Sequence, residues 1–213
     1  PDSVTMFMNY PTRYDNRDTE RALKGSGIKC PELENYAPVI WDYWERNLDP
    51  DLFVDHSLEG NVGGKVVLIT GASSGIGKTS ALRLAEAGAH VLLVARSAEK
   101  LEETAAEIAT VGGVATIYQA DVSDLADCDR LVAEVLENHG FIDILLNNAG
   151  RSIRRSLELS YDRFHDFERT MQINYFGAVR LTMGLLPSMS REKKGQVINM
   201  SSISALTPSP RFS

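Results

Sequence analysis

The 213-residue chain has little cysteine: 2 residues, Cys30 and Cys128, far apart and without metal-ligand spacing. That excludes a disulfide-built fold and a cysteine metal site, and suits free thiols in a reducing compartment. Positive charge is also short. The net charge is −7 and no basic stripe occurs, which argues against a nucleic-acid partner. No apolar run reaches membrane-spanning length. Pro1-Asp2-Ser3 opens without a basic start or a long apolar stretch, so no secretory leader is expected. Repeats and low-complexity segments are absent as well. These absences suit a cytoplasmic protein, with peripheral contact to a membrane left open and no metal expected.

What is present is ordinary for a soluble domain: 43% hydrophobic and 24% charged residues, enough for one sizeable core and an appendage. The chain starts at Pro1 and stops at Arg211-Phe212-Ser213, and reads as a piece of something longer. Residues 1–60 form an irregular arm or linker. It holds both tryptophans, Trp41 and Trp44, and many charges. Asn35-Tyr36-Ala37-Pro38 reads as a turn, and Pro38 to Leu48 as a short helix with an apolar side. Its aromatics either pack on a neighbouring surface or reach into a substrate site.

From residue 61 a domain with strand–helix alternation begins. Strands are expected at Val66–Thr70, His90–Ala95, Val114–Gln119, Ile142–Leu146 and Gln196–Met200. The first helix runs Gly75–Ala87 and is closed by Gly88. Ser97 caps the next, to about Val111, and Ser123 the third, to about Asn138. A long helical pattern starts at Ser160. Apolar strands separated by amphipathic helices mean an α/β fold: a doubly wound parallel sheet of the Rossmann type.

The stretch Thr70–Gly77 lies between the first strand and the first helix, where a glycine-rich turn cradles a nucleotide phosphate. Gly71 permits the tight turn, Gly75 lets backbone approach a pyrophosphate, and Gly77 lets the helix pack close to the sheet. Ser73, Ser74 and Ile76 complete the loop. Other unusual residues also follow strands, where such sheets bind ligands. Arg96 stands about 20 residues past the last glycine, where an NAD site carries Asp or Glu. With Lys78 it suits a 2′-phosphate, against the plainer reading of a solvated arginine. Asp121-Val122 can accept from an adenine amino group, or Asp121 is merely an acid near a helix start. Asn147-Asn148-Ala149-Gly150 is a turn or a cofactor-side wall. Ser201-Ser202 follows the last strand.

Thr70–Gly77, Asp121-Val122, Asn147–Gly150, Asn174 and Asn199-Met200-Ser201-Ser202 together resemble the motif series of the short-chain dehydrogenases/reductases, over residues 65–213. The resemblance implies an NAD(P)(H)-binding oxidoreductase. It implies cofactor contacts at Gly71, Ser73, Ser74, Gly75, Ile76, Gly77, Arg96, Asp121, Val122, Asn148, Ala149 and Gly150. It also implies Asn174 as the anchor of a proton-relay water, Ser202 as the group that polarises the substrate carbonyl, and a dimer or tetramer built on the helix near Ser160–Leu186. The family's Tyr-x-x-x-Lys is not found: no Tyr has Lys four positions later, and the domain reads as incomplete at its C-terminus. Residues 1–213 are therefore expected to be inactive by themselves.

The arm, chiefly Tyr36–Arg46 before Asp49-Pro50-Asp51, resembles the connector of bacterial two-module fatty acyl-CoA reductases, in which a first reductase module precedes. The expectation is an NADPH-dependent reductase acting on a long-chain acyl-CoA or fatty aldehyde. Its alternatives are a reductase of another small carbonyl (a 3-oxoacyl thioester or a ketone) and a non-catalytic NADPH-binding module.

Overall fold

The computed structural model describes residues 15–29, 31–48, 55–153 and 155–202. Cys30, Asp49-Pro50-Asp51 and the residues after Ser202 lie outside them. The chain divides into two compact units, Pro1–Val54 and Asp55–Ser213.

The first unit carries α1 (Arg17–Leu23) and α2 (Leu33–Asn47), neither with a buried residue. The expected turn at Asn35–Pro38 is instead helix, because α2 starts at Leu33 and runs through Pro38. Proline removes one donor. The downstream turns are held by local pairs: Trp41 Nε1 donates to Glu45 Oε1 at 2.6 Å, and Asp42 pairs with Arg46 at 2.8 Å.

The second unit opens with the short helix α3 (Leu58–Val62) and continues as β1 (Val66–Thr70), α4 (Gly75–Glu86), β2 (His90–Ala95), α5 (Ala98–Thr110), β3 (Val114–Gln119), α6 (Leu125–His139) and β4 (Ile144–Asn147). It then runs through α7 (Phe164–Met171), a π-turn at Gln172–Phe176, α8 (Gly177–Glu192) and β5 (Gln196–Asn199). The sheet order is β3-β2-β1-β4-β5, all parallel. Val66 pairs with His90 and Val67 with Ile144, so β1 is the centre and the strand order reverses beside it. The expected doubly wound fold is therefore present, and every strand's carboxyl end points to one edge.

Side chains alternate between two apolar layers. Leu68, Leu92 and Leu145 face one layer with Leu131 and Val135 of α6 and Leu181 and Leu185 of α8. Val67, Ile69, Val91 and Leu93 face the other with Ala81 and Ala85 of α4 and Leu101 and Ile108 of α5. Burial on both faces is why these strands read as continuous apolar runs.

Three local expectations need correction. Asp124, not Ser123, caps α6: its side chain accepts from Ala126 N at 2.9 Å. Ser123 instead donates its hydroxyl to Asp121 Oδ1 at 2.6 Å. The helical pattern begins at Phe164, not Ser160, whose hydroxyl is turned back to the Ser156 carbonyl at 3.0 Å. Strands β4 and β5 cover Ile144–Asn147 and Gln196–Asn199, shifted from their expected limits.

Candidate active site

β1 ends in a threonine that ties two loops together. Thr70 is 2% exposed. Its Oγ1 accepts from Asn148 N and from Ala149 N, each at 3.0 Å. Asn148 returns the contact, its Nδ2 donating to the Thr70 carbonyl at 2.9 Å. The chain following β4 is thereby bound to the chain following β1. The glycines permit that closeness. Gly71 has φ +70°, and a Cβ there would meet Ala149 Cα at 3.0 Å. A Cβ on Gly77 would run into the Gly71 carbonyl and the Asn148 amide, so Gly77 admits the loop and not only the sheet. Gly75, at φ +55°, has nothing within 4 Å of its Cβ position and presents bare backbone. The first turn of α4 carries no acidic residue, and Ser74 makes no side-chain cap. Its first amides are thus open to an anion.

A cavity of about 400 Å³ lies along this carboxyl edge. It is walled by Gly71, Ser73 and Ser74 after β1, by Arg96, Ser97 and Lys100 after β2, by Asp121 and Val122 after β3, and by Asn148, Ala149 and Gly150 after β4. Nine residues named from the sequence are thus brought together here. Gly75, Ile76 and Gly77 do not line it; they open α4 directly after the lining residue Ser74. Asp121 Oδ1 accepts from Ser123 N at 3.0 Å as well as from its hydroxyl, which fixes the carboxylate beside the cavity.

Lys78 does not line the cavity. Its Nζ is ion-paired with Glu107 of α5 at 2.8 Å. The cation beside Arg96 is Lys100, one turn into α5, where Ser97 caps the helix by accepting from Lys100 N. Among the described residues neither Arg96 nor Lys100 has an ion-pair partner. Lys100 went unremarked in the sequence, although its position three residues after the cap places it at the strand ends.

Asn174 sits in the π-turn, outside the cavity wall, against Gly150. Its Oδ1 accepts from Arg151 N and its Nδ2 donates to Arg151 O, each at 2.8 Å. Oδ1 and Nδ2 each keep capacity for one further bond. Ser202 is exposed and follows β5, whose exit is held by Met200 N donating to Asn147 O at 2.9 Å. It shares the carboxyl edge with the cavity without lining it.

Cys128 is buried beneath this edge, its thiol directed to the Val122 carbonyl at 3.5 Å. Burial first, then the nearby carboxylates of Asp127, Asp129, Asp124 and Asp121, push its pKa up to about 11. It is an inert packing residue.

A bare glycine loop at a helix start, on the switch-point edge of a 3-2-1-4-5 parallel sheet, defines a dinucleotide-binding domain. The sequence comparisons specify which. A sequence model of the short chain dehydrogenase family matches residues 65–213, and the chain belongs to that family. It is 59% identical over 153 residues to a fatty acyl-CoA reductase of Acinetobacter baylyi, covering 72% of this chain and 52% of that protein. A fatty acyl-CoA reductase of Mycobacterium tuberculosis is 45% identical over 151 residues, 70% of this chain and 51% of that protein. The chain thus spans about half the length of these relatives. Among solved structures, a metagenomic short-chain oxidoreductase in complex with NADP superposes with a TM-score of 0.67 at 32% identity, covering 71% of this chain and 68% of that one. An NAD+-bound xylitol dehydrogenase reaches 0.65 at 33% identity, covering 70% and 57%.

Proposed function

We propose that this chain is the cofactor-binding part of an NADPH-dependent reductase that delivers hydride to the carbonyl of a long-chain fatty acyl-CoA or fatty aldehyde. The observation that carries the cofactor choice is the pair Arg96 and Lys100 on the β2 side of the cavity, with no carboxylate at that position. A dianionic 2′-phosphate suits two cations, whereas the 2′-hydroxyl of NADH suits a carboxylate. The substrate class is supported by the fatty acyl-CoA reductases among the relatives. The xylitol dehydrogenase among the structural neighbours supports the alternative of a smaller carbonyl substrate.

The residues fit the group: bare backbone at Gly75 and uncapped amides of α4 for the diphosphate, Arg96 and Lys100 for the 2′-phosphate, Asp121 and Val122 for the adenine, Asn148–Gly150 for the far wall. A nicotinamide dinucleotide supplies the hydride when bound. Ser202 hydrogen-bonds the substrate carbonyl oxygen through its hydroxyl as negative charge grows there, keeping its own proton. Asn174 fixes the Arg151 backbone and uses its remaining valence to anchor a relay water. The 213 residues hold no Tyr-x-x-x-Lys to donate the closing proton. General-acid loss costs about 10²–10⁴ in rate. This chain therefore binds NADPH without appreciable turnover of hexadecanal, read by NADPH absorbance. Steady oxidation of NADPH would contradict that assignment.

The arm over residues 1–60 is the connector to a preceding reductase module, and α7 to α8 forms a subunit contact. Phe164 at 72% exposure and Met183 at 64% support the latter. A monomer by sedimentation at micromolar concentration would remove it. Among the described residues no helix is long and apolar enough to cross a membrane. A cytoplasmic location with peripheral membrane contact completes the proposal.

A further inference from the structure

A second cavity, about 550 Å³, adjoins the first and shares Arg96, Gly150 and Ile173 with it. Its other walls are Ser123, Arg151, Arg169 and Gln172. Among the described residues no carboxylate lines it. Among the described residues four arginines have no ion pair, namely Arg83, Arg96, Arg151 and Arg169. Three of these four line this one cavity. The chain carries 29 acidic residues and a net charge of −7, so carboxylates to neutralise them are plentiful. Arg130, Arg155, Arg163 and Arg180 all find one. Three unneutralised guanidiniums on one concavity mark an anion site.

The site is also held in place. Asn174 grips Arg151 at both its N–H and its carbonyl, so the base of that side chain cannot wander. Arg169 stands near the end of α7, one turn before the π-turn that carries Asn174. Arg96 lines both cavities.

We propose that Arg151 and Arg169 form an anion subsite, distinct from the 2′-phosphate contact of Arg96, that holds the phosphates of a coenzyme A thioester substrate. This deepens the reading of the chain as an acyl-CoA reductase and rests on it. A fatty aldehyde or a ketone has no anionic group for the pair. The coenzyme A carrier has a 3′-phosphate and a diphosphate, which two guanidinium forks suit. A ligand beside the dinucleotide cavity binds together with the cofactor and so belongs to the substrate.

The test is calorimetric titration of the 213-residue chain with coenzyme A, 3′-dephospho-coenzyme A and NADPH, the coenzyme A titration being run with and without NADPH. The variants are Arg151→Gln/Arg169→Gln, the charge-keeping Arg151→Lys/Arg169→Lys, and Arg96→Gln. The glutamine pair should weaken coenzyme A roughly tenfold to hundredfold, the range for lost charge-assisted hydrogen bonds. It should leave NADPH within about twofold, and the lysine pair should recover part of the loss. Removing the 3′-phosphate should weaken binding to the wild type more than to the glutamine pair. Equal losses for NADPH and coenzyme A would assign the pair to the cofactor and overturn the proposal. Failure of the wild type to bind coenzyme A would also overturn it. Failure to bind NADPH, with Arg151- and Arg169-dependent coenzyme A binding intact, would instead remove the cofactor assignment alone.

Discussion

Replacing Thr70 by valine isolates the bond on which the cavity's geometry depends. Valine has nearly the shape of threonine, so no void is made in a residue only 2% exposed. What is lost is the hydroxyl oxygen that accepts from Asn148 N and Ala149 N at 3.0 Å each. Its third contact, to the Leu146 carbonyl at 3.5 Å, is too long to add much. Two backbone amides then lose their acceptor, at about 1–3 kcal/mol for each that stays buried. The amides can recover part of this from water at the cavity, so the expected loss is about 2–4 kcal/mol. Thr70→Ser keeps the oxygen and removes a methyl, for about 1 kcal/mol. Urea unfolding of the two variants reads the difference, with the slope unchanged if only stability moves. NADPH titration supplies a second reading, because slack between the two loops should weaken binding in the valine variant more than in the serine variant. Stability of Thr70→Val within about 0.5 kcal/mol of wild type, where neutral substitutions fall, would refute the reasoning.

Two further outcomes are expected. Tyr118 OH accepts from Asn138 Nδ2 at 3.2 Å and shares a hydrogen bond with His139 Nε2 at 2.9 Å. Burial first, and the charge on nearby His90 second, hold the His139 pKa below its ordinary 6.5. The unfolded chain then binds the proton more readily, so stability falls as pH drops below about 6.5. His139→Gln should flatten that fall; urea midpoints of variant and wild type that track each other from neutral pH down to about 5 would contradict this. Native Cys128, with its pKa near 11, should resist iodoacetamide at mildly alkaline pH and react only on unfolding. Peptide-level mass spectrometry checks it, and rapid native labelling of Cys128 would count against its burial.

The strands were legible because sheet burial on two faces writes itself as apolar runs, as in Val66–Thr70 and His90–Ala95. The glycine loop was legible because positive φ at Gly71 and Gly75 restricts the residue type. What escaped depended on which side chains meet, whether near or far in sequence. Ser123 and Asp124 are both good caps, and only the engagement of Ser123 by Asp121 decides between them. Lys78 adjoins the loop in sequence whereas Lys100 lies beyond β2, and Glu107 on the neighbouring helix draws Lys78 away. The grip of Asn174 on Arg151 joins residues 23 apart through a π-turn that no residue pattern announces.

The proposed NADPH selectivity rests on Arg96 and Lys100, which follow β2, and the NADH-to-NADPH ratio of dissociation constants measures it directly. Loss of charge-assisted phosphate contacts corresponds to about 1.5–3 kcal/mol, or roughly tenfold and upward. Fluorescence titration of the wild type should give NADPH the tighter binding by at least about tenfold, and Arg96→Asp should abolish or invert that preference. Equal affinity for the two cofactors in the wild type, or a preference that survives Arg96→Asp unchanged, would contradict the account.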